Sequence, residues 1–574
     1  MKNYFKATIF LFLLAVLSLG VPPVAFADSL DEQVDFYVAN NFDESGRGQL
    51  RATLLVKTDQ LYFYVDNVWW NQLEKISQDE LKASLSALAQ EFESKIYPEL
   101  TVIYGSEWKP GVDNDERITV LIHSMVEGAG GYVRTEDEYF AAQAQHSNQR
   151  EMVYLNSLYA LQPRLKSFLA HEFTHLIIFN QKDKKYKISE EIWLNEARAD
   201  HSPALLGYDQ EYLGSNLQQR IDLFLDAPSD SLTEWLNDKD DYGALNLFTQ
   251  YLVDHYGVKV LVDSLHSPRI GIASLNEALQ KNGYTQDFAQ IFNDWTVAIY
   301  INDCQVGEKY CYKSENLKAL KVTPQINFLP YADKASLSRT DYTKDWAGNW
   351  YKISGGKNSL KLKFTGSDQA KFKVLYVITG ANQEVGVLEL DKNQEGIIYV
   401  PDFRSGNKSL TILPTLQNKL LGFNGQEESY QFSFVASVIE MTPAEEAEAE
   451  AVLIEKLKQQ IADLLAEISR VQAQINAVLA SQNQSSCQRM DIDLYYGMRN
   501  SSAVRCLQGF LKSQGSDIYP EGIISGNFLS LTQTAVIRFQ EKYSTDILKK
   551  YGLTVGTGYV GSTTRAKINQ LLGK

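Results

Sequence analysis

A run of apolar residues that carries two histidines exactly one helical turn apart sets the tightest limit on how this chain can fold. It is AHEFTHLIIF at 170–179, followed by EIWLNEARAD at 191–200. His171 and His175 are four residues apart, so a helix places both imidazoles on one face, where they can grip a single Zn²⁺. Glu172, beside the first of them, then points toward the same ion. Phe168, Leu169, Leu176, Ile177 and Phe179 mark the helix as buried, and polar groups on a buried helix are there for chemistry or for each other. All seven histidines (His123, His146, His171, His175, His201, His255 and His266) lie in one stretch of the first half. Histidine-dependent catalysis is therefore confined there.

Two histidines need a third ligand. A third His six residues after the second, with Gly three residues on, is excluded because those positions are Gln181 and Ile178. The other common solution is a carboxylate from a second helix, which leaves a fourth position open for water. Glu196 lies 21 residues after His175, with the polar KDKKYK (182–187) as connecting loop. Asp200, one turn later on the same face, is placed to hydrogen-bond a ligand histidine and fix its tautomer. Ligation by Asp200 itself is the alternative.

His171-Glu172-x-x-His175 with Asn195-Glu196-x-x-x-Asp200 resembles the gluzincin metallopeptidases, the group that includes thermolysin, and most of all the secreted hyicolysin-like type. The resemblance spans roughly residues 45–300, and its specific part is the metal segment. It implies a zincin-type α+β fold in which an edge strand binds an extended peptide by backbone pairing. Residues 118–122 and 130–133 are the candidates for that edge. ATLLVKTDQLYFYVDNVWW at 52–70 reads as integral strands rather than a detachable prosegment.

The resemblance also implies a mechanism. Zinc held by His171, His175 and Glu196 lowers the pKa of its water, and Glu172 takes the proton as that water attacks the scissile carbonyl. Glu172 then passes it to the leaving amine. A developing oxyanion needs a donor, and in related gluzincins a Tyr near the start of a helix such as DYGALNLFTQYLVDHYG (241–257) provides it. Tyr242 holds that position, with His255 and Tyr132 as the other candidates. The sequence does not address a structural calcium requirement.

MKNYFKATIFLFLLAVLSLG has a basic start and an apolar run, and Ala25-Phe26-Ala27 supplies the small residues of a cleavage site. Residues 1–27 therefore read as a signal peptide, and the protein as secreted, extracellular or associated with a bacterial cell wall. A net charge of −16 argues against nucleic acid and anionic membrane surfaces as partners. The four cysteines form two local pairs, Cys304 with Cys311 and Cys487 with Cys506, which an oxidising compartment permits as disulfides.

A chain of 574 residues is long enough for several domains. Residues 28–315 hold the metal segment and read as the catalytic domain. Within 316–441, NWYKIS, SLKLKF, KFKVLYVI, EVGVLEL, GIIYV, SLTIL and YQFSFVASV form seven short alternating strands, which read as an accessory β-sandwich. In 442–482 an acidic run leads into heptads. Ile454, Ile461, Ile468 and Ile475 hold one seam position, while Leu457, Leu464, Val471 and Val478 hold the other. This predicts a coiled-coil helix, paired in parallel as a homodimer or folded back on its own chain as a stalk.

Residues 483–574 contain two related turn-helix phrases, SGNFLSLTQTAVIRFQEKY and TGYVGSTTRAKINQLL, preceded by AVRCLQGFLKSQG. The Leu507-Gln508 and Phe539-Gln540 pairs and the Gly558-Tyr559-Val560-Gly561 turn resemble the peptidoglycan-binding domain, a small three-helix module. Leu529 departs from the pattern, standing where the family repeats a glycine. The resemblance implies peptidoglycan as a partner beside the protein or peptide substrate.

The expectation is thus a multidomain protein: an α+β zincin-type catalytic domain, a β-sandwich, a coiled-coil stalk and a small three-helix C-terminal module. Its expected activity is zinc-dependent endopeptidase action on proteins near the cell wall. The alternatives are a hydrolase of peptidoglycan crosslinks and a non-catalytic wall-associated scaffold.

Overall fold

The computed structural model describes residues 27–404, 408–423, 425–483 and 489–573, and the chain divides between Leu453 and Ile454 into two compact units. It is multidomain, with helices and several β-sheets. Residues 1–26 of the expected signal peptide 1–27 lie outside the described residues, as does Cys487. Among the described residues, no helix is long and apolar enough to cross a membrane.

The first unit begins with strands β1 (Gln33–Tyr37), β2 (Gln49–Lys57), β3 (Leu61–Asp66), β4 (Ile118–His123), β5 (Gly131–Tyr132) and β6 (Met152–Asn156). They form one sheet in the order β1-β2-β3-β4-β6-β5. The β3–β4 and β4–β6 pairs are parallel and the others antiparallel. Strand alternation divides the side chains between two packed faces. Leu61, Phe63, Val65, Val120 and Val153 enter the main core with the helices, whereas Tyr62, Tyr64, Leu121 and Tyr154 enter a smaller core on the other face.

Residues 52–70 accordingly belong to the sheet, where β3 is an interior strand. The expectation that 118–122 could form the substrate edge is corrected. β4 is paired on both sides and every one of its residues is buried. Of the two candidate segments, only 130–133 contains an edge strand, β5.

Helices α1 (Lys75–Glu91), α2 (Leu165–Phe179), α3 (Ile192–Leu205), α4 (Asn216–Asp226), α5 (Asp241–Tyr256) and α6 (Phe288–Ile301) cover the main face. Residues of all six enter the main core, from Leu81 and Leu85 on α1 to Ile291 and Phe292 on α6.

The next nine strands are β7 (Gln325–Leu329), β8 (Ser336–Thr343), β9 (Tyr351–Gly355), β10 (Ser359–Gly366), β11 (Phe372–Thr379), β12 (Gln383–Leu388), β13 (Glu395–Val400), β14 (Ser409–Leu416) and β15 (Tyr430–Ile439). They form a four-stranded sheet, β13-β10-β15-β8, and a five-stranded one, β12-β11-β14-β9-β7. Side chains of both sheets share one core, which includes Ile353, Leu362, Phe364, Ile412 and Phe434. The seven strands read from the sequence are all present. β7 and β8 are additional.

The boundary drawn at 315/316 does not separate two compact bodies. Trp346, Trp350, Leu375, Val377, Leu413 and Phe423, all from the sandwich segment, belong to the same core as the helices. Trp346 packs edge-on against Phe288 (4.8 Å) and Phe292 (5.4 Å) of α6. Trp350 donates to Thr296 O (2.9 Å), and Tyr300 and Thr411 share a hydroxyl hydrogen bond of 2.7 Å. Large aromatic side chains dominate core energetics, so this junction is part of the fold.

Helix α7 (Pro443–Asn483) runs unbroken through the heptad region. Its seam residues Ile454, Ile461, Leu464, Ile468 and Val471 are exposed on this chain.

In the second unit, α8 (Ser502–Ser513), α9 (Ser530–Lys542) and α10 (Ser562–Leu571) enclose a core of Leu507, Phe510, Val536, Phe539, Val560 and Ile568. The two phrases are repeats at the level of single hydrogen bonds. Gln508 Nε2 donates to Asn527 O and Thr532 Oγ1, and its Oε1 accepts from Gly526 N; Gln540 does the same with Tyr559 O, Thr564 Oγ1 and Gly558 N. Gly526 and Gly558 both have positive φ, +79° and +71°, which explains glycine at each. Leu529 and Gly561 have φ of −113° and −87°. That conformation suits any residue, so Leu529 costs the turn nothing.

Cys304 and Cys311 form a disulfide, with Cα atoms 5.1 Å apart, just after α6. Cys506 is disulfide-bonded as well.

Candidate metal centre

Two helices build the site. α2 supplies His171, Glu172 and His175 from its buried face, and α3 supplies Glu196. His171 Nε2 lies 3.2 Å from Glu196 Oε2, and His175 Nε2 lies 3.6 Å from Glu196 Oε1. One ligand atom from each of the three residues falls within 4.8 Å of the others. Ligands about 2.0–2.1 Å from a tetrahedral zinc stand roughly 3.3 Å apart, so the donor set fits that ion in spacing as well as in chemistry.

Each of the remaining ring nitrogens faces a side-chain oxygen. His175 Nδ1 is 2.9 Å from Asn195 Oδ1, and His171 Nδ1 is 3.8 Å from Asp200 Oδ1. The Asn195 hydrogen bond fixes the tautomer that leaves His175 Nε2 free to ligate, and Asp200 faces His171 at ion-pair distance. Asp200 therefore stands behind a ligand rather than beside the ion. It is held there by Arg220, whose Nη2 and Nε donate to its carboxylate at 2.7 and 3.1 Å, and by Asn246 Nδ2 at 2.7 Å. Burial opposes ionisation of Asp200, but Arg220 and Asn246 outweigh it and hold its pKa below the usual value.

Glu172 is 5 % exposed and sits against the edge strand. Burial, opposed by His171 and reinforced by Glu196, pushes its pKa up to about 8. A methyl group at Gly131 of β5 would come within 2.9 Å of Glu172 Oε1 and 2.7 Å of Tyr154 O. The glycine of the edge strand thus makes room for the carboxylate.

Tyr242 opens α5 and reaches the same centre. Its hydroxyl donates to Glu196 Oε2 at 3.3 Å, the Arg220 guanidinium covers its ring at 4.2 Å, and Trp235 packs against it edge-on at 5.1 Å. Burial first, then the negative Glu196, raises its pKa well above the usual range, which keeps the hydroxyl protonated and able to donate.

The two other oxyanion candidates do not converge here. His255 is near the far end of α5, where its Nε2 is 2.9 Å from Cys311 O. Tyr132 follows Gly131 on β5, so strand alternation turns it to the opposite face. There it stacks on Tyr154 (4.4 Å), and its hydroxyl lies 3.2 Å from His123 Nε2.

Three participants were not found by sequence reasoning. Arg220 and Asn246 reach Asp200 from α4 and α5, 20 and 46 residues away, and no local spacing announces such contacts. Gly131 was read only within the candidate edge 130–133, not as a neighbour of Glu172. The signal available was the pair Gly130-Gly131 at a strand, which marks close approach of another group.

No family model matches this chain, and no curated protein matches it. Similar solved structures include the periplasmic inhibitor of g-type lysozyme from Aeromonas hydrophila, with 11 % identity, 20 % of this chain and 98 % of that one covered, and a TM-score of 0.14. The corresponding inhibitor from Salmonella Typhimurium gives 13 % identity, 20 % and 98 % coverage and a TM-score of 0.12. A family GH115 4-O-methyl-alpha-glucuronidase gives 9 % identity, 59 % and 54 % coverage and a TM-score of 0.13.

Proposed function

We propose that this chain is an exported zinc-dependent endopeptidase that cleaves proteins. The observation that carries the reading is the convergence of His171, His175 and Glu196 on one point, with the buried Glu172 of the same helix packed against the edge strand. His171, His175 and Glu196 would hold the ion. Bound there, zinc supplies Lewis acidity toward a carbonyl and lowers the pKa of a water.

The chain's own residues do the rest. β5 pairs with an extended peptide backbone and sets the scissile bond beside Glu172. Glu172 takes a proton from the attacking water and returns it to the leaving amine. Tyr242 donates from its hydroxyl to the developing oxyanion. Arg220, Asp200 and Asn195 keep the two imidazoles in register.

The N-terminal segment 1–27 serves as the export signal in this reading, and the Cys304–Cys311 disulfide suits an oxidising compartment. The C-terminal module, with its repeated glutamine cages, holds the enzyme to peptidoglycan. The exposed heptad seam of α7 pairs with a second copy.

Metal removal tests the reading. Dialysis of the full-length protein against a chelator is expected to abolish cleavage of casein, and one equivalent of zinc to restore it. His171→Ala is expected neither to bind zinc stoichiometrically nor to regain activity. Cleavage that survives in metal-free protein contradicts the proposal, and cleavage of purified wall peptides but not proteins redirects it to peptidoglycan crosslinks.

A further inference from the structure

Helix α2 carries more than the metal ligands. Stepping back from Glu172 one turn at a time leads to Phe168 and then to Arg164, the residue just before the first turn, and residues four apart share a helix face. The edge strand follows the same face. A methyl group at Gly131 would meet the Glu172 side chain, and one at Gly130 would lie 2.5 Å from the Phe168 ring. Asn156 N donates to Gly130 O at 3.0 Å, so alternation turns the N–H and C=O of Gly131 away from β6, to the free side of β5 where an extended peptide can pair. A peptide paired there passes Glu172 and continues along Phe168.

Arg164 stands at the end of that run. Its guanidinium lies 5.1 Å from the Phe168 ring centroid and 5.0 Å from that of Tyr159, and the two rings are 4.9 Å apart. Its Nη2 donates to Gln219 Oε1 at 2.7 Å. Gln219 precedes Arg220 on α4, and Arg220 holds Asp200 behind His171. The guanidinium is therefore fixed by two aromatic rings of the cleft and by a helix that borders the metal centre. Its partners are all neutral. Arg47, Arg150 and Arg220 each pair with a carboxylate, whereas among the described residues no carboxylate lies within ion-pair distance of Arg164. A guanidinium has five donors, and a planar fork held in place with donors to spare suits bidentate binding of a carboxylate.

We infer that Arg164 is a specificity-determining residue, which binds a carboxylate of the peptide substrate at a fixed distance from the scissile bond. The carboxylate is an acidic side chain or the chain terminus of a short peptide. Helical rise puts Arg164 about 12 Å along α2 from Glu172, and an extended chain covers that length in about three or four residues. This rests on the endopeptidase reading above and deepens it, by naming the charge that the substrate carries and where it carries it.

The test uses zinc-loaded full-length protein, as wild type and as Arg164→Lys, Arg164→Gln and Arg164→Glu, with equal zinc content showing that the metal centre is intact in each. All four are given peptides that place Glu, Gln or Lys at each position near the cut, with the C-terminus free or amidated, and kcat/KM is measured for each peptide by mass spectrometry. Wild type is expected to favour a carboxylate about tenfold through KM at one position about three or four residues from the cut. Arg164→Gln is expected to lose that preference, Arg164→Glu to turn it toward Lys, and Arg164→Lys to keep part of it. A preference seen with Glu assigns the carboxylate to a side chain, and one seen only with free C-termini assigns it to the chain end; either supports the subsite. The same Glu to Gln ratio in wild type and Arg164→Gln overturns the subsite alone. Absence of any cleavage by zinc-loaded wild type overturns the endopeptidase reading and the subsite with it.

Discussion

The Glu172 carboxylate and Gly131 are packed so closely that a single methyl group on the glycine would lie 2.9 Å from Oε1. Carboxylate and edge strand therefore occupy one position relative to each other. Gly131→Ala is expected to displace Glu172 or the strand and to lower kcat at least tenfold while zinc stays bound. Steady-state kinetics alongside metal analysis checks this, since small misplacements of a catalytic group are costly.

Arg220 is the cation that donates to the buried Asp200 carboxylate, from a partly buried position. Arg220→Leu leaves that carboxylate uncompensated, at an expected cost of about 3 kcal/mol in denaturant unfolding. Zinc affinity should fall about tenfold or more, because Asp200 steadies His171. Chelator competition measures the second effect apart from the first.

Tyr242 bonds to Glu196 by its hydroxyl alone, while its ring is held by Arg220 and Trp235. Tyr242→Phe should keep the packing and the metal. It is expected to lower kcat about a hundredfold with little change in KM.

Much of this site was legible in the sequence because its parts are local. His171, Glu172 and His175 follow from helical period, and Glu196 with Asp200 from the same period one loop later. Arg220, Asn246 and Gly131 were not legible, since they act through contacts between separate elements. The sandwich strands that were missed have patterns that hide them: β7 exposes Ile326 and Phe328, and β8 is the largely polar SLSRTDYT. The fusion of sandwich and helices depends on Trp346 and Trp350, whose burial the local sequence does not signal.

Glu138 and Glu151 are an interacting buried pair, 2 % and 3 % exposed. Burial, then the nearby Asp113, pushes Glu151 up to about 8, and burial with Glu151 raises Glu138 well above its usual value. Carboxyls whose pKa is higher folded than unfolded favour the fold while protonated. Their stabilisation is complete below about pH 4 and is lost as pH rises toward 8. Melting temperature is expected to fall over that window, and Glu151→Gln to flatten the slope.

Removing the sandwich strips Trp346 and Trp350 from the helical core. A fragment of residues 28–315 is expected to be insoluble or to lack cooperative unfolding, whereas residues 28–441 should melt in a single transition. Calorimetry of the two separates an integral sandwich from a detachable one.

The most direct measurement of the central claim is zinc content together with casein cleavage for full-length wild type and Glu172→Gln. One zinc in both, with cleavage only by wild type, is the expected result. No zinc in wild type would undo the ligand set, and cleavage by Glu172→Gln at the wild-type rate would contradict Glu172 as the base.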